Sequence, residues 1–258
     1  MEWQEIRGNW LCLPQRPLGW IHFLGGAFVA AAPQVTYRRL LEYLAEAGYG
    51  IIATPFVNTF DHGAIALEVL NKLDYALDWL VHRGGYPPAL PIYGLGHSMG
   101  CKLHLLINSL YDGDRAGNIF LAFNNYAAAQ SIPGLDNLPP VGVEFSPTPA
   151  ETEALIQQRY PVRRNLLIRF QEDDIDQTPR LRRLLRAKFG DMVTALKLPG
   201  NHLTPLSQGL RWQVGPEFSP LDAVGQWLQQ SLFPEMQVLE ACLVEWLNPL
   251  GTAPRCRP

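Results

Sequence analysis

The stretch Pro91-Ile92-Tyr93-Gly94-Leu95-Gly96-His97-Ser98-Met99-Gly100-Cys101-Lys102-Leu103-His104-Leu105-Leu106-Ile107 decides the fold. Residues 90–95 are a short apolar run suited to a buried strand, and residues 102–111 continue as an apolar helix. A nucleophilic serine has to project at the end of a strand, with backbone N–H groups already aimed at the oxygen that becomes negative. A sharp strand-to-helix turn does both. Such a turn strains the serine and brings strand and helix so close that the neighbouring residues must be small. Gly96 and Gly100 meet that demand, with Cys101 a modest third. Gly-x-Ser-x-Gly arises by chance often enough, and an idle serine in a glycine-rich turn is the plainer alternative. The strand before the motif and the helix after it favour the reactive reading.

Outward from this turn, residues 3–6 and 10–13 around Arg7-Gly8-Asn9 predict a hairpin, and residues 19–24 a buried strand. Strands and helices then alternate. Helices are expected at 37–47, 65–82, 102–111 and 178–189, strands at 50–56, 90–95, 118–123, 165–170 and 192–198, and closing helices near 221–232 and 236–247. This order predicts an α/β fold: a mainly parallel sheet of about eight strands, joined by right-handed crossovers and covered by helices on both faces. Ligands belong at the carboxyl ends of such strands. The 258 residues are read as one domain. Residues 124–160, with Pro133, Pro139, Pro140, Pro147 and Pro149, interrupt the rhythm and read as a small cap over the site, or else as an irregular surface excursion.

A site of this kind runs along the chain in the order serine, acid, histidine. His202, in Leu198-Pro199-Gly200-Asn201-His202, follows the last strand and is the expected base. His97 is aimed into the sheet, His104 faces the following helix, His82 ends a helix where a cation complements the dipole, and His62 comes too early in the chain. The acid is expected in Gln171-Glu172-Asp173-Asp174-Ile175-Asp176, with Asp174 preferred over Asp176 and Asp173 because of its place in the loop. One of these carboxylates can instead cap the helix near Thr178, a position that suits Asp176. The oxyanion donors are expected at the backbone of Met99 and of Ala27 or Phe28, after the paired glycines Gly25 and Gly26. His97, Gly26 and Tyr126 are expected to line the substrate.

The 21 basic and 24 acidic side chains nearly cancel and no stretch gathers cations along a line, which argues against nucleic acid as a partner. Cys12, Cys101, Cys242 and Cys256 show no paired spacing, so a reducing compartment is the simpler expectation. The start Met1-Glu2-Trp3-Gln4-Glu5 has no signal-peptide pattern, and no window is long and apolar enough to span a membrane. A cytoplasmic protein is expected, with peripheral membrane contact left open. No HExxH, Cys/His cluster or Walker-type loop points to a metal or nucleotide, and no cofactor is expected.

The elbow GHSMG resembles that of lipases, esterases and thioesterases of the α/β-hydrolase superfamily. More closely, GHSMGCKLHLLI, FLAFNNY and IRFQEDDIDQTP resemble a branch of that superfamily found mainly in cyanobacteria and plant plastids and named for its unknown function. The resemblance implies the fold and a photosynthetic cell, and it implies no substrate. Two readings follow. In the first, Ser98, His202 and Asp174 hydrolyse an ester or thioester of a small or lipid-like molecule, with cap residues such as Tyr126, Ile132, Leu135, Leu138 and Val141 covering an apolar chain. In the second, the fold serves a non-catalytic binding or assembly role, with a protein partner on the cap or on the helix carrying Arg180, Arg182, Arg183, Arg186 and Lys188. Such a charge run is more often a solvated face. A connected hydrogen-bond chain from a carboxylate through His202 to Ser98 separates the two.

Overall fold

The structure, a computed structural model, describes residues 1–27, 29–111, 113–131, 144–206 and 233–248. Its strands are β1 (Trp3–Ile6), β2 (Asn9–Cys12), β3 (Trp20–Leu24), β4 (Gly50–Ala53), β5 (Ile92–His97), β6 (Gly117–Leu121), β7 (Asn165–Phe170) and β8 (Val193–Leu198). They form one sheet in the order β1-β2-β4-β3-β5-β6-β7-β8. The β1–β2 and β2–β4 pairs are antiparallel, and the rest are parallel. The described helices are α1 (Pro33–Thr36), α2 (Arg38–Glu46), α3 (His62–His82), α4 (Met99–Leu110), α5 (Ala128–Ser131), α6 (Pro149–Arg159), α7 (Thr178–Phe189) and α8 (Phe233–Leu247).

Alternation along the strands sorts the core into two layers. Ile21, Phe23, Ile51, Leu95, Ile119 and Ile168 pack with Leu40, Leu41 and Leu44 of α2 and Met236, Leu239 and Leu243 of α8. On the other face Trp20, Leu24 and Ile52 meet α3 and α4, and Phe120 and Leu167 meet Ile156, Leu181 and Leu185 of α6 and α7. This second face also buries polar groups. Asn118 Nδ2 donates to Asn108 Oδ1 at 2.9 Å and to Tyr160 Oη at 2.6 Å, and the Tyr160 hydroxyl donates to Asn165 Oδ1 at 2.6 Å. The chain ties α4, β6 and β7 together without leaving those donors unpaired.

Several boundaries differ from expectation for local reasons. β4 stops at Ala53, before Thr54-Pro55, since a proline has no N–H for the ladder. α3 begins at His62 because Asp61 caps it, accepting from the Ala64 N–H at 2.8 Å. α4 begins at Met99, directly after the serine, so the turn has no linker at all. Within the expected cap, residues 149–159 form α6, opened by a capping box between Thr148 and Glu151 with Pro149 in the first turn. α6 packs on α4 and α7 through the cluster of Ile156, Tyr160 and Val162, as the crossover between β6 and β7. The expected helix at 221–232 and the cap residues Ile132, Leu135, Leu138 and Val141 lie outside the described residues. Among the described residues no helix is long and apolar enough to cross a membrane.

His104 is fully buried, edge-on to the buried His22 at 5.1 Å between ring centroids. Burial, with the Arg115 guanidinium adding to it, holds the His104 imidazole down at about 3. Below the ordinary histidine value of 6.5 the unfolded chain therefore binds a proton that the folded chain refuses, and stability falls with falling pH until the folded protein is protonated too, near pH 3. The expected contribution is roughly 1.4 kcal/mol per pH unit. Urea unfolding at pH 7.5, 6 and 5 should show a steeper acid loss in the parent than in a His104→Leu variant.

Candidate active site

Ser98 stands where β5 becomes α4, at φ 54° and ψ −117°, a left-handed conformation that costs a non-glycine residue on the order of 1–3 kcal/mol. The turn is held from both sides: the Ser98 N–H donates to Leu121 O at 2.9 Å and the Cys101 N–H donates to Ser98 O at 3.1 Å. A Cβ on Gly96 would lie 2.6 Å from Cys101 N, and one on Gly100 would lie 2.0 Å from Leu24 O. Neither glycine can carry a side chain without moving backbone.

His202 Nε2 lies 3.0 Å from Ser98 Oγ, and its Nδ1 lies 2.8 Å from Asp173 Oδ2. The carboxylate against the imidazole is thus Asp173, not the expected Asp174. The β7–β8 ladder explains the difference. It continues past the strand ends, with the Gln171 N–H donating to Leu198 O and the Glu172 N–H to Gly200 O, both at 2.9 Å. Asp173 therefore emerges level with the histidine turn, its side chain fully shielded, while Asp174 points to solvent. Asp173 Oδ1 also accepts from the Ile175 N–H at 3.1 Å, which holds the carboxylate in place. Asp176 accepts from the N–H of Thr178, the first residue of α7, at 2.6 Å, while the N-cap position itself is Gln177, and burial raises the Asp176 pKa.

The histidine turn is locked just as closely. Gly200, at φ 108°, has no room for a Cβ, which would meet Thr204 Oγ1 at 2.3 Å. Thr204 Oγ1 accepts from the Asn201 N–H, and Asn201 Oδ1 accepts from the Leu203 N–H, each at 2.9 Å. His97 supports the turn from below. Its Nε2 lies 2.8 Å from the backbone oxygen of His202, and its Nδ1 lies 2.8 Å from Tyr37 Oη. A carbonyl only accepts, so Nε2 carries the proton, Nδ1 accepts from the Tyr37 hydroxyl, and Tyr37 Oη accepts from the Gly26 N–H at 2.8 Å. Burial keeps His97 neutral by holding its pKa well below 6.5.

Two of the expected substrate contacts are therefore turned inward. His97 is 2% exposed with both ring nitrogens engaged, and the Gly26 N–H is spent on Tyr37. The Gly26 backbone still passes beside the serine, since a Cβ there would be 3.5 Å from Ser98 Cβ. Met99 opens α4, where the first N–H groups have no partner within the helix. Ala27 is half-buried beside this turn, and Phe28 lies outside the described residues. Tyr126 is half-buried in the loop after β6. His62 is buried and stacks on Phe145 at 4.3 Å between ring centroids.

One side chain at the serine has no signal in the sequence. Asn124 Nδ2 donates to Ser98 Oγ at 3.0 Å, from the loop after β6. Tyr37 was equally hidden, because it reads as the first residue of an amphipathic helix. In both cases only the folded loop brings the group to the turn.

The strand order, with a serine at the turn after β5 and the histidine after β8, defines an α/β-hydrolase fold. Residues 2–249 match the family model described as "Protein of unknown function (DUF1350)", and the chain belongs to that family. Solved structures share the fold. A dienelactone hydrolase from Anabaena variabilis superposes with a TM-score of 0.57 at 14% identity, covering 93% of this chain and 89% of its own. Carboxyl esterase 2 from Tuber melanosporum gives 0.53 at 19% identity, covering 87% and 82%. FphF from Staphylococcus aureus, described as a fluorophosphonate-binding serine hydrolase, gives 0.53 at 16% identity, covering 75% and 85%. No curated protein matches the chain in sequence.

Tyr37→Phe keeps the ring and removes the hydroxyl that both accepts from Gly26 and donates to His97. Two buried groups lose their partner, so urea unfolding should show a loss of about 2–4 kcal/mol, while a Phe at the exposed Tyr75 should change stability by less than about 0.5 kcal/mol.

Proposed function

We propose that the protein is a serine hydrolase acting on an ester or thioester with an apolar acyl part. The observation that carries this reading is the unbroken chain Asp173–His202–Ser98, with contacts of 2.8 and 3.0 Å, ending on a serine held in a strained turn. Idle serines have no need of such strain, which has to be over-determined by the surrounding packing.

The chemistry follows from the proton positions. The Asp173 carboxylate only accepts, so His202 Nδ1 carries a proton and Nε2 is bare. Ser98 Oγ attacks the carbonyl carbon as its proton passes to Nε2, and Asp173 offsets the imidazolium charge. The oxygen that becomes negative is met by the Met99 N–H at the head of α4 and by the loop at residues 25–27, as an oxyanion hole. The imidazolium then protonates the leaving alkoxide or thiolate, and a water deprotonated by His202 releases the acid. The stretch at 124–160, read from the sequence as a cap, would supply the apolar cover for the acyl chain in this reading. The resemblance to a branch of photosynthetic organisms makes lipid and pigment esters the first substrates to test.

Intact-mass spectrometry after fluorophosphonate treatment tests the reading directly. A single adduct is expected on the parent and none on Ser98→Ala; a folded parent that takes no adduct overturns the hydrolase reading and favours the non-catalytic binding role. Asp173→Asn should slow the reaction by about 10³- to 10⁴-fold, because the imidazole loses its enforced tautomer, whereas Asp174→Asn should leave the rate within about twofold.

A further inference from the structure

Ser98 Oγ has two polar neighbours, and only one belongs to the Asp173–His202–Ser98 chain. The proton count decides what the other is doing. With Asp173 accepting from Nδ1, the bare Nε2 takes the single Ser98 proton, and Oγ is left with lone pairs only. Asn124, 3.0 Å away, can meet that oxygen only with its N–H₂ end.

The loop that carries Asn124 is built as firmly as the serine turn. Ala122 sits at φ 51°; among the described residues the other non-glycine positions with positive φ are Ser98 and Arg7, the latter in the β1–β2 turn. The strain at Ala122 is held down by its N–H donating to Ile168 O at 2.8 Å. Gln177 then clamps the loop reciprocally: its N–H donates to Phe123 O and its Oε1 accepts from the Asn125 N–H, each at 2.7 Å. Asn125 Nδ2 adds a bond to Pro149 O at 3.0 Å. The amide of Asn124 is thus presented from a loop fixed on both sides of it, a geometry that a solvated asparagine does not require.

We propose that Asn124 is a catalytic residue whose side-chain N–H stabilises negative charge on Ser98 Oγ. The inference rests on the serine-hydrolase reading and adds a donor that the triad and the oxyanion hole do not supply. Oγ gathers charge twice: when its proton moves to His202 and its bond to the carbonyl carbon forms, and again when the acyl-enzyme breaks and the electron pair of that bond returns to Oγ before His202 reprotonates it. A donor fixed on Oγ acts in both steps, and the Met99 N–H and the loop at 25–27 serve the carbonyl oxygen instead.

The test uses the full chain and a fluorophosphonate, read as the second-order rate of adduct formation on Ser98. Asn124→Leu keeps the volume and removes the donor, and should slow the reaction about 10- to 100-fold. Asn124→Asp keeps the shape and sets a carboxylate against the oxygen, and at pH 7.5 should slow it further. Thermal unfolding identifies the variants that keep the parent fold, and either one alone suffices. Folded variants that react within about threefold of the parent overturn the role of Asn124 and leave the hydrolase reading standing. A parent that takes no adduct overturns both.

Discussion

The backbone of Ser98, held at φ 54° and ψ −117°, is the constraint from which the site is built. A conformation this unfavourable persists only where neighbours leave no alternative. Here strand β5 runs into α4 without a linker, Gly100 passes so close to Leu24 O that a methyl group would overlap it, and Gly96 lies against the first turn of the helix it precedes. The same closeness brings the loop after β3 alongside Ser98, at the N-terminus of α4. Strain, glycine spacing and the approach of the loop after β3 to the serine are three consequences of one steric fact.

Two hydrogen-bond chains with enforced proton directions meet at His202. One starts at a carboxylate that only accepts and runs through the ring to Ser98, ending on Asn124. The other starts at the His202 backbone oxygen, which also only accepts, and runs through His97 and Tyr37 to the N–H of Gly26. The first orients the ring, and the second holds the backbone that carries it to the loop beside the serine. Since each group has a single way to satisfy its partners, His202 and the loop at residues 25–27 are held in one arrangement relative to each other. His97 therefore works from inside the protein, although it stands next to the serine in the chain.

The elements of the sheet were readable because hydrophobic periodicity is local: β1, β7 and α7 begin and end where the pattern places them, and most others shift by one to three residues. The elbow was readable for the same reason, because its glycines answer a local steric demand. α6 was also written in the chain, in Thr148-Pro149-Ala150-Glu151, but the proline-rich stretch around it reads as irregular. The carboxylate beside His202 was another matter. Asp173, Asp174 and Asp176 offer the same chemistry within four positions, and choosing among them requires knowing how far the β7–β8 ladder extends beyond the strands.

The α/β architecture, the strand-to-helix turn that carries Ser98 and the histidine that follows the last strand were legible in the chain alone, because each rests on short-range pattern and chain order. That Asp173 faces His202, that His97 and Gly26 are bonded inward, and that Asn124 reaches the serine oxygen came from the folded chain. Those outcomes depend on side-chain direction across contacts 11 to 105 residues apart, and one further residue of pairing is enough to turn a side chain to the opposite face.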